Sequence, residues 1–254
     1  MNVFAPNPTT KPGKAVAGMF SAIAPTYDLL NHLLSFNLDK RWRKRAVGAL
    51  GARPGERCLD LCTGTGDVAL AIAKASPHCG IVGADFSREM MVQAARKAGR
   101  RKASIPLAQA DALALPFRDG AFDAVTVAFG IRNFEELDRG LGEISRVLKD
   151  GGRAVILEFS PPRRSFFGAL YRLYFTRILP LVGKLISRDA HAYGYLPATV
   201  QNFVTPVELA GKLKAAGFSS VTHAPLTFGI AVLTVAHKPG HESAINKAAG
   251  MERR

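Results

Sequence analysis

Short apolar runs alternate along this chain with longer stretches in which apolar residues recur every three to four positions. Runs at 57–62, 80–85, 105–110, 122–129 and 153–159 have the length and composition of buried strands. Helical spacing occupies 67–75, 87–99 and 135–148 between them, and this order predicts a parallel sheet with helices on both faces. Lys149-Asp150-Gly151-Gly152 reads as a glycine cap closing the last of those helices. Before the first strand, residues 20–50 are helical in pattern, with Tyr27, Leu30, Leu33 and Leu34 on one stripe, and should cap the core. Near the end, 206–216 reads as a helix closed by Gly217. Residues 221–226 and 230–236 then read as two strands with a short connection, hence an antiparallel edge. The expected fold class is α/β, a seven-stranded, doubly wound, mostly parallel sheet with an antiparallel C-terminal edge. Residues 160–205 exceed what such a sheet needs and form an insertion. One domain over 18–238, flanked by tails at 1–17 and 239–254, completes the expected organisation.

Candidate chemistry gathers at the end of the first strand, Leu59-Asp60-Leu61-Cys62-Thr63-Gly64-Thr65-Gly66-Asp67. Gly64 and Gly66 permit a tight turn and a close ligand approach. The second strand closes on Asp85, whose carboxylate has the spacing to accept both hydroxyls of a ribose. Together these features predict a nucleoside site. Gly64-x-Gly66-x-x-Ala69 also meets the relaxed dinucleotide fingerprint, so the glycines alone do not identify the ligand. Asp67 in the first helical turn and Asp60 near the same mouth would repel a diphosphate. They would favour S-adenosylmethionine, whose sulfur and amino group are cationic. Asp111, after the third strand, has the position to reach an adenine amino group.

Composition narrows the setting. With 254 residues and 48% hydrophobic content, the chain can bury a large core. Its three cysteines, Cys58, Cys62 and Cys79, form no Cys-x-x-Cys pair, so neither a metal site nor a disulfide framework is expected. A reduced, cytoplasmic interior is the simple reading, since no apolar segment has the length of a signal peptide or a membrane span. The formal charge of +14 points to an anionic partner, with basic clusters at 40–45, 96–102 and 163–164.

The motifs occur in the order and context of the ubiquinone and menaquinone biosynthesis C-methyltransferases, which this chain resembles from Met19 to Lys238. The resemblance is carried by Phe20-Ser21-x-x-Ala24-x-x-Tyr27-Asp28-x-x-Asn31, by Trp42-Arg43, by the glycine turn and by Ala114-Leu115-Pro116-Phe117. It continues at Phe129-Gly130-Ile131-Arg132-Asn133, Arg146-Val147-Leu148-Lys149 with Gly151-Gly152, Leu157-Glu158-Phe159-Ser160, and Leu179-Pro180-x-x-Gly183 with Asp189, Tyr193 and Tyr195-Leu196. The family often carries Asn where Asp111 stands, Ser where Ala128 stands, and His-Arg where Asp39-Lys40 stand.

The resemblance implies a class I, Rossmann-like methyltransferase that moves a methyl group from S-adenosylmethionine to a ring carbon of a polyprenylated quinol. Demethylmenaquinol is the leading acceptor and the benzoquinol of the ubiquinone pathway the alternative. Asp60, Gly64, Thr65, Gly66, Asp85, Asp111 and Ala112 are the expected cofactor contacts. Arg132 is the first choice for a fixed cation at the ring oxygen, a salt-bridged structural arginine being the alternative, with Asn133 orienting the hydroxyl and Asp189 and Tyr193 as catalytic candidates from the insertion. Tyr27, Phe129, His191 and Tyr195 are the expected substrate contacts. An apolar, aromatic stretch at 166–185 suits an isoprenoid groove, and the charge suits peripheral docking on the anionic inner face of the cytoplasmic membrane. Assembly into a homo-oligomer is left open. An RNA methyltransferase would also explain the basic clusters, yet no Asn/Asp-Pro-Pro-Tyr/Phe motif follows the fourth strand and no cysteine is placed for pyrimidine attack. No nucleic-acid partner is therefore expected.

Overall fold

The structure, a computed structural model, describes residues 13–24, 27–160 and 198–240. Three helices come first: α1 (Gly13–Ile23), α2 (Tyr27–Leu34) and α3 (Leu38–Leu50). The core then runs β1 (Arg57–Leu61), α4 (Asp67–Ala75), β2 (Gly80–Asp85), α5 (Arg88–Arg100), β3 (Leu107–Gln109), β4 (Phe122–Ala128), α6 (Leu137–Val147) and β5 (Leu148–Phe159). After the insertion come α7 (Pro206–Ala215), β6 (Ser220–Leu226) and β7 (Ala231–His237). The predicted boundary of the N-terminal tail falls inside α1, which already begins at Gly13. Asp189, His191, Tyr193, Tyr195 and the 166–185 stretch lie outside the described residues.

The seven strands stand in the order β3-β2-β1-β4-β5-β7-β6. β1 pairs in parallel with β2 on one side and β4 on the other. The winding therefore reverses between β1 and β4, and ligands of open α/β sheets bind at the carboxyl ends beside such a reversal. β7 lies antiparallel between β5 and β6, leaving β6 at the edge. Alternation along each strand feeds two cores. Leu59, Val125 and Ile156 face Leu141 and Ile144 of α6 and Leu213 of α7. Cys58, Ala124 and Val155 face Ile72 of α4 and Trp42, Ala46 and Leu50 of α3. Fully burying one leucine or isoleucine contributes about 1.5–3 kcal/mol, so these two layers fix the sheet against its helices.

Local chemistry explains the helix ends. Ser87 caps α5 by accepting the Met90 N–H, and Thr205 with Glu208 forms a capping box that starts α7 behind Pro206. Gly151 and Gly152 do not close α6 as expected. The chain turns extended at Leu148, Gly151 adopts φ 74° and gives its N–H to the Pro239 carbonyl, and a Cβ on Gly152 would come within 2.7 Å of the Lys149 oxygen. These glycines shape an irregularity at the start of β5.

Candidate active site

The chain leaves β1 in a turn that few residue types tolerate. Cys62 has φ 56°, and Gly64 and Gly66 have φ 55° and 84°. Asp60 organises this turn from behind. Its Oδ2 accepts the Thr63 hydroxyl at 2.6 Å and the Ala69 N–H at 3.0 Å, and its Oδ1 accepts the Thr126 hydroxyl of β4 at 3.3 Å. Burial pushes the Asp60 carboxyl up to about 7, against three hydrogen bonds that favour its charged form. Asp60 was expected at the ligand; both its oxygens instead face the protein. Gly66 likewise serves packing, since a Cβ there would lie 3.1 Å from the Ala94 Cβ of α5. Gly64 differs, because the space around its absent Cβ is open.

That space belongs to a cavity of about 470 Å³ at the carboxyl ends of β1, β2 and β4, within the usual range of ligand sites. Of the residues singled out in the sequence, Tyr27, Gly64, Asp85, Asp111, Ala112, Phe129 and Asn133 line it together. Asp60, Thr65, Gly66 and Arg132 are not on its wall. Asp85 Oδ2 accepts the Gly64 N–H and its Oδ1 the Ser87 N–H, each at 2.8 Å, so the carboxylate is aimed by two backbone donors. Burial pushes its carboxyl up while those N–H groups oppose the shift. Asp111 holds its own loop by accepting the Leu113 N–H at 2.9 Å. Glu143 and Arg146 secure the same loop through the Leu115 N–H and the Leu115 and Phe117 carbonyls, which accounts for two of the family motifs. Three carboxylates, Asp85, Asp111 and Glu135, line the cavity, and among the described residues no Lys, Arg or His does.

The acids expected to repel phosphate are therefore not the ones that set the charge of the site. Asp67 is neutralised by Arg43 at 2.9 Å and Lys97 at 2.7 Å. Burial raises its carboxyl pKa, but these two cations outweigh that and hold it below the usual carboxylate range. The Thr65 hydroxyl donates to Asp28 at 2.6 Å and accepts from Lys97 at 2.9 Å. The preference for a cationic ligand survives, but it rests on Asp85, Asp111 and Glu135.

Arg132 takes the structural one of its two expected roles. The residue is 5% exposed, and its guanidinium donates to Glu158 at 2.7 Å and to the Phe129 carbonyl at 2.6 Å and lies over the Phe159 ring. Its charge is met by Glu158, and it fixes the loop after β4. Phe129 in that loop adopts φ 59° and packs on Phe159 and Trp42. Gly130 is required there, because a Cβ would fall 2.6 Å from the Cys62 Cβ. Trp42 also donates to the Thr227 hydroxyl at 2.9 Å, tying α3 to the turn before β7.

Several wall residues escaped the sequence reading: Cys62, Ser87, Met90, Phe134 and Glu135. Cys62 was read as the last strand residue, and only its left-handed backbone brings it into the wall. Burial, reinforced by Asp85, pushes its thiol pKa well up, so it stays protonated. Ser87 and Met90 follow from Asp85 by the helix cap alone and were legible in principle. Among the described residues no group of acidic, histidine or cysteine side chains is arranged to hold a metal, and no helix is long and apolar enough to cross a membrane.

A sheet of this order, with glycine turn and acid at adjoining strand ends, is that of the class I S-adenosylmethionine-dependent methyltransferases. Solved structures share the fold: the cyclase SpnF superposes with TM-score 0.67 at 19% identity, covering 91% of this chain and 97% of its own. A SAM-dependent methyltransferase from Aquifex aeolicus gives 0.56 at 16%, covering 77% and 88%. The fold alone does not fix the reaction, as the cyclase makes plain. Sequence comparison does more. The model of the ubiE/COQ5 methyltransferase family matches residues 9–238, and the chain belongs to that family. It is 53% identical over 221 residues to a demethylmenaquinone methyltransferase of Thermus thermophilus, covering 87% of this chain and 100% of the relative. A demethylmenaquinone methyltransferase of Deinococcus radiodurans is 48% identical, covering 89% and 93%. A ubiquinone/menaquinone biosynthesis C-methyltransferase UbiE of Geotalea uraniireducens is 47% identical, covering 90% and 98%. The protein is thus an S-adenosylmethionine-dependent C-methyltransferase of quinone biosynthesis.

Proposed function

We propose that the enzyme methylates a ring carbon of demethylmenaquinol, giving menaquinol. The observation that carries this reading is the match to the Thermus demethylmenaquinone methyltransferase over that protein's whole length. The benzoquinol step of ubiquinone biosynthesis is the second reading, since the Geotalea relative's name covers both pathways.

The cavity suits the cofactor. The open side of Gly64 leaves room for a nucleoside, and Asp85, aimed by the Gly64 and Ser87 N–H groups, would accept the ribose hydroxyls. Asp111 would take the adenine amino group, with Ala112 contributing backbone. The three wall carboxylates complement the positive sulfonium and ammonium of the donor, which supplies an electrophilic methyl group. For the acceptor, a ring carbon is nucleophilic enough once the adjacent hydroxyl is ionised. With a phenol-like pKa of about 10, that ionisation costs roughly 4 kcal/mol at pH 7. Asn133 on the cavity wall would orient the hydroxyl, and Tyr27 and Phe129 would face the ring. A base would come from the insertion, where Asp189, His191, Tyr193 and Tyr195 are the candidates. Arg132 contributes by holding the Phe129–Asn133 loop through Glu158.

A polyprenyl tail requires access to a bilayer. Lys40, Arg41, Lys44 and Arg45 lie exposed on the solvent side of α3, whose Trp42 packs on Phe129 of the cavity wall. Each such cation near an anionic lipid surface contributes about 1 kcal/mol. That charge supports peripheral docking through this helix at the inner face of the cytoplasmic membrane. The decisive experiment supplies the purified enzyme and S-adenosylmethionine with demethylmenaquinol and, separately, with the demethylated benzoquinol. Mass-increased menaquinol is the expected product; methylation of the benzoquinol alone would transfer the enzyme to the ubiquinone pathway, and methylation of neither would refute the reading.

A further inference from the structure

One polar junction ties the N-terminal helices to the glycine turn, and of the expected cofactor contacts only Thr65 takes part in it. The Lys97 ammonium of α5 has three acceptors for its three protons: the Thr65 hydroxyl at 2.9 Å, Asp67 Oδ1 at 2.7 Å and Asp28 Oδ2. Thr65 closes the ring by donating to the other Asp28 oxygen at 2.6 Å. Asp28 sits on α2 directly after Tyr27, and Tyr27, like Val16 of α1, lines the cavity. The residue that covers the cavity is therefore next in sequence to the residue that Lys97 grips. A second set of contacts runs beside the first. Arg43 of α3 bridges Asp67 and Asp39, and Asp39 accepts from Ser35 and meets His32 on the α2 side. At the far end of the cover, Ser21 of α1 meets Ser87 and Glu89 at the start of α5.

We propose that Lys97 is a positioning residue for cofactor binding, holding α2 closed over the nucleoside cavity by gripping Asp28 and the Thr65 turn at once. Lys97, Asp28 and Asp67 are each a fifth to a third exposed. Water competes with such pairs, so each one is individually weak. A cover made this way opens often enough to admit cofactor and release product, yet adds to affinity when closed. Asp28 belongs to the Tyr-Asp-x-x-Asn segment, so the motif supplies a wall residue and the anchor for that wall in consecutive positions. The inference rests on the cavity being the cofactor site, and the experiment separates the two ideas.

Isothermal titration of the full-length enzyme with S-adenosylhomocysteine, with steady-state KM for S-adenosylmethionine and for quinol, reads the effect. Lys97→Met is expected to weaken nucleoside binding about 5- to 20-fold and to raise the S-adenosylmethionine KM alike, with little change in the quinol KM. Lys97→Arg should regain most of the loss. Amide hydrogen exchange over 13–24 and 27–34 should quicken in Lys97→Met and slow when ligand binds the wild type. Asp28→Asn attacks the same contact from the cover and should reproduce the loss if Lys97→Met folds poorly. Lys212→Met, which breaks an exposed pair with Asp138 on α6, should leave affinity unchanged. Wild-type affinity and unaltered exchange over the first two helices, in Lys97→Met and Asp28→Asn alike, would overturn the proposal. Undiminished binding by Asp85→Ala would instead remove the cavity assignment on which it stands.

Discussion

At the amino ends of the central strands, charges pair off in ordinary geometry. Arg153, just past the glycine irregularity in β5, meets Glu56, Lys149 meets Asp123, and Asp123 also accepts the Arg57 N–H. At the carboxyl ends of β1 and β4, two non-glycine residues, Cys62 and Phe129, sit at φ 56° and 59°. There three acids share one cavity wall, and Gly130 closes on Cys62 to a distance no Cβ would permit, as Gly152 does against the backbone at the other end. Strained backbone costs on the order of 1–3 kcal/mol per residue and persists only where the surroundings over-determine it. Here the surroundings are the Asp60 hydrogen bonds under the first turn and the Arg132–Glu158 pair under the second. One end of the sheet is built to be stable, and stability is drawn on at the other end to shape a site.

Gly130→Ala attacks the contrast most directly. The new Cβ would collide with Cys62, and overpacking of this kind costs about 3 kcal/mol, a fall in Tm of roughly 6–12 °C for a chain of this size. S-adenosylhomocysteine binding should be lost with it. Gly142→Ala on α6, where nothing lies within 4 Å of the new atom, should be neutral or slightly stabilising. Equal melting of the two variants would contradict the tight approach at the rim.

Asp60 sharpens the comparison through pH. Its folded pKa, about 7, lies above the ordinary carboxylate value, so the folded state binds the extra proton between about pH 4 and pH 7. The group's contribution is then fully present below its unfolded pKa and is lost as pH rises through 7, with a limiting slope of about 1.4 kcal/mol per pH unit. Denaturant melts from pH 4 to 8 should show wild-type stability falling relative to Asp60→Asn across that window. Parallel curves would mean that Asp60 titrates as an ordinary acid.

The smallest effect is expected at the amino end. The Arg153 hydrogen bond, with a smaller opposing effect of burial, holds the Glu56 carboxyl below its usual range. Its contribution is therefore present at neutral pH and lost on acidification. Glu56→Gln should cost about 1 kcal/mol or less at pH 7 and leave cofactor affinity untouched. A drop in affinity would show that the two ends are coupled.

The sequence exposed most of this architecture because strands, helices and the glycine turn are specified locally. Asp85 was legible at the end of its own strand, and Gly64 within its turn. What failed was charge bookkeeping at long range. Asp67 looked like a free acid because Arg43 and Lys97, its partners, lie 24 and 30 residues away. Arg132 could be read as a cation for the ring oxygen or as a structural arginine, because its partner Glu158 lies 26 residues on, in a motif read separately. Each motif was visible; that two motifs were halves of one ion pair was not. Phe-Gly-Ile-Arg-Asn and Leu-Glu-Phe-Ser become a single device only once β4 and β5 lie side by side.

The place of β7 in the sheet has a consequence for how the enzyme is made. Strand β5 has its second neighbour only when β7, which follows β6 in the chain, slides between them. As the protein leaves the ribosome, the flank of β5 facing away from β4 and the cavity therefore stays bare until β7 emerges. Unpaired flanks of this kind recruit other chains. Nascent copies halted before Ala231 should cling to chaperones or to one another, and release should come with the arrival of the final hairpin.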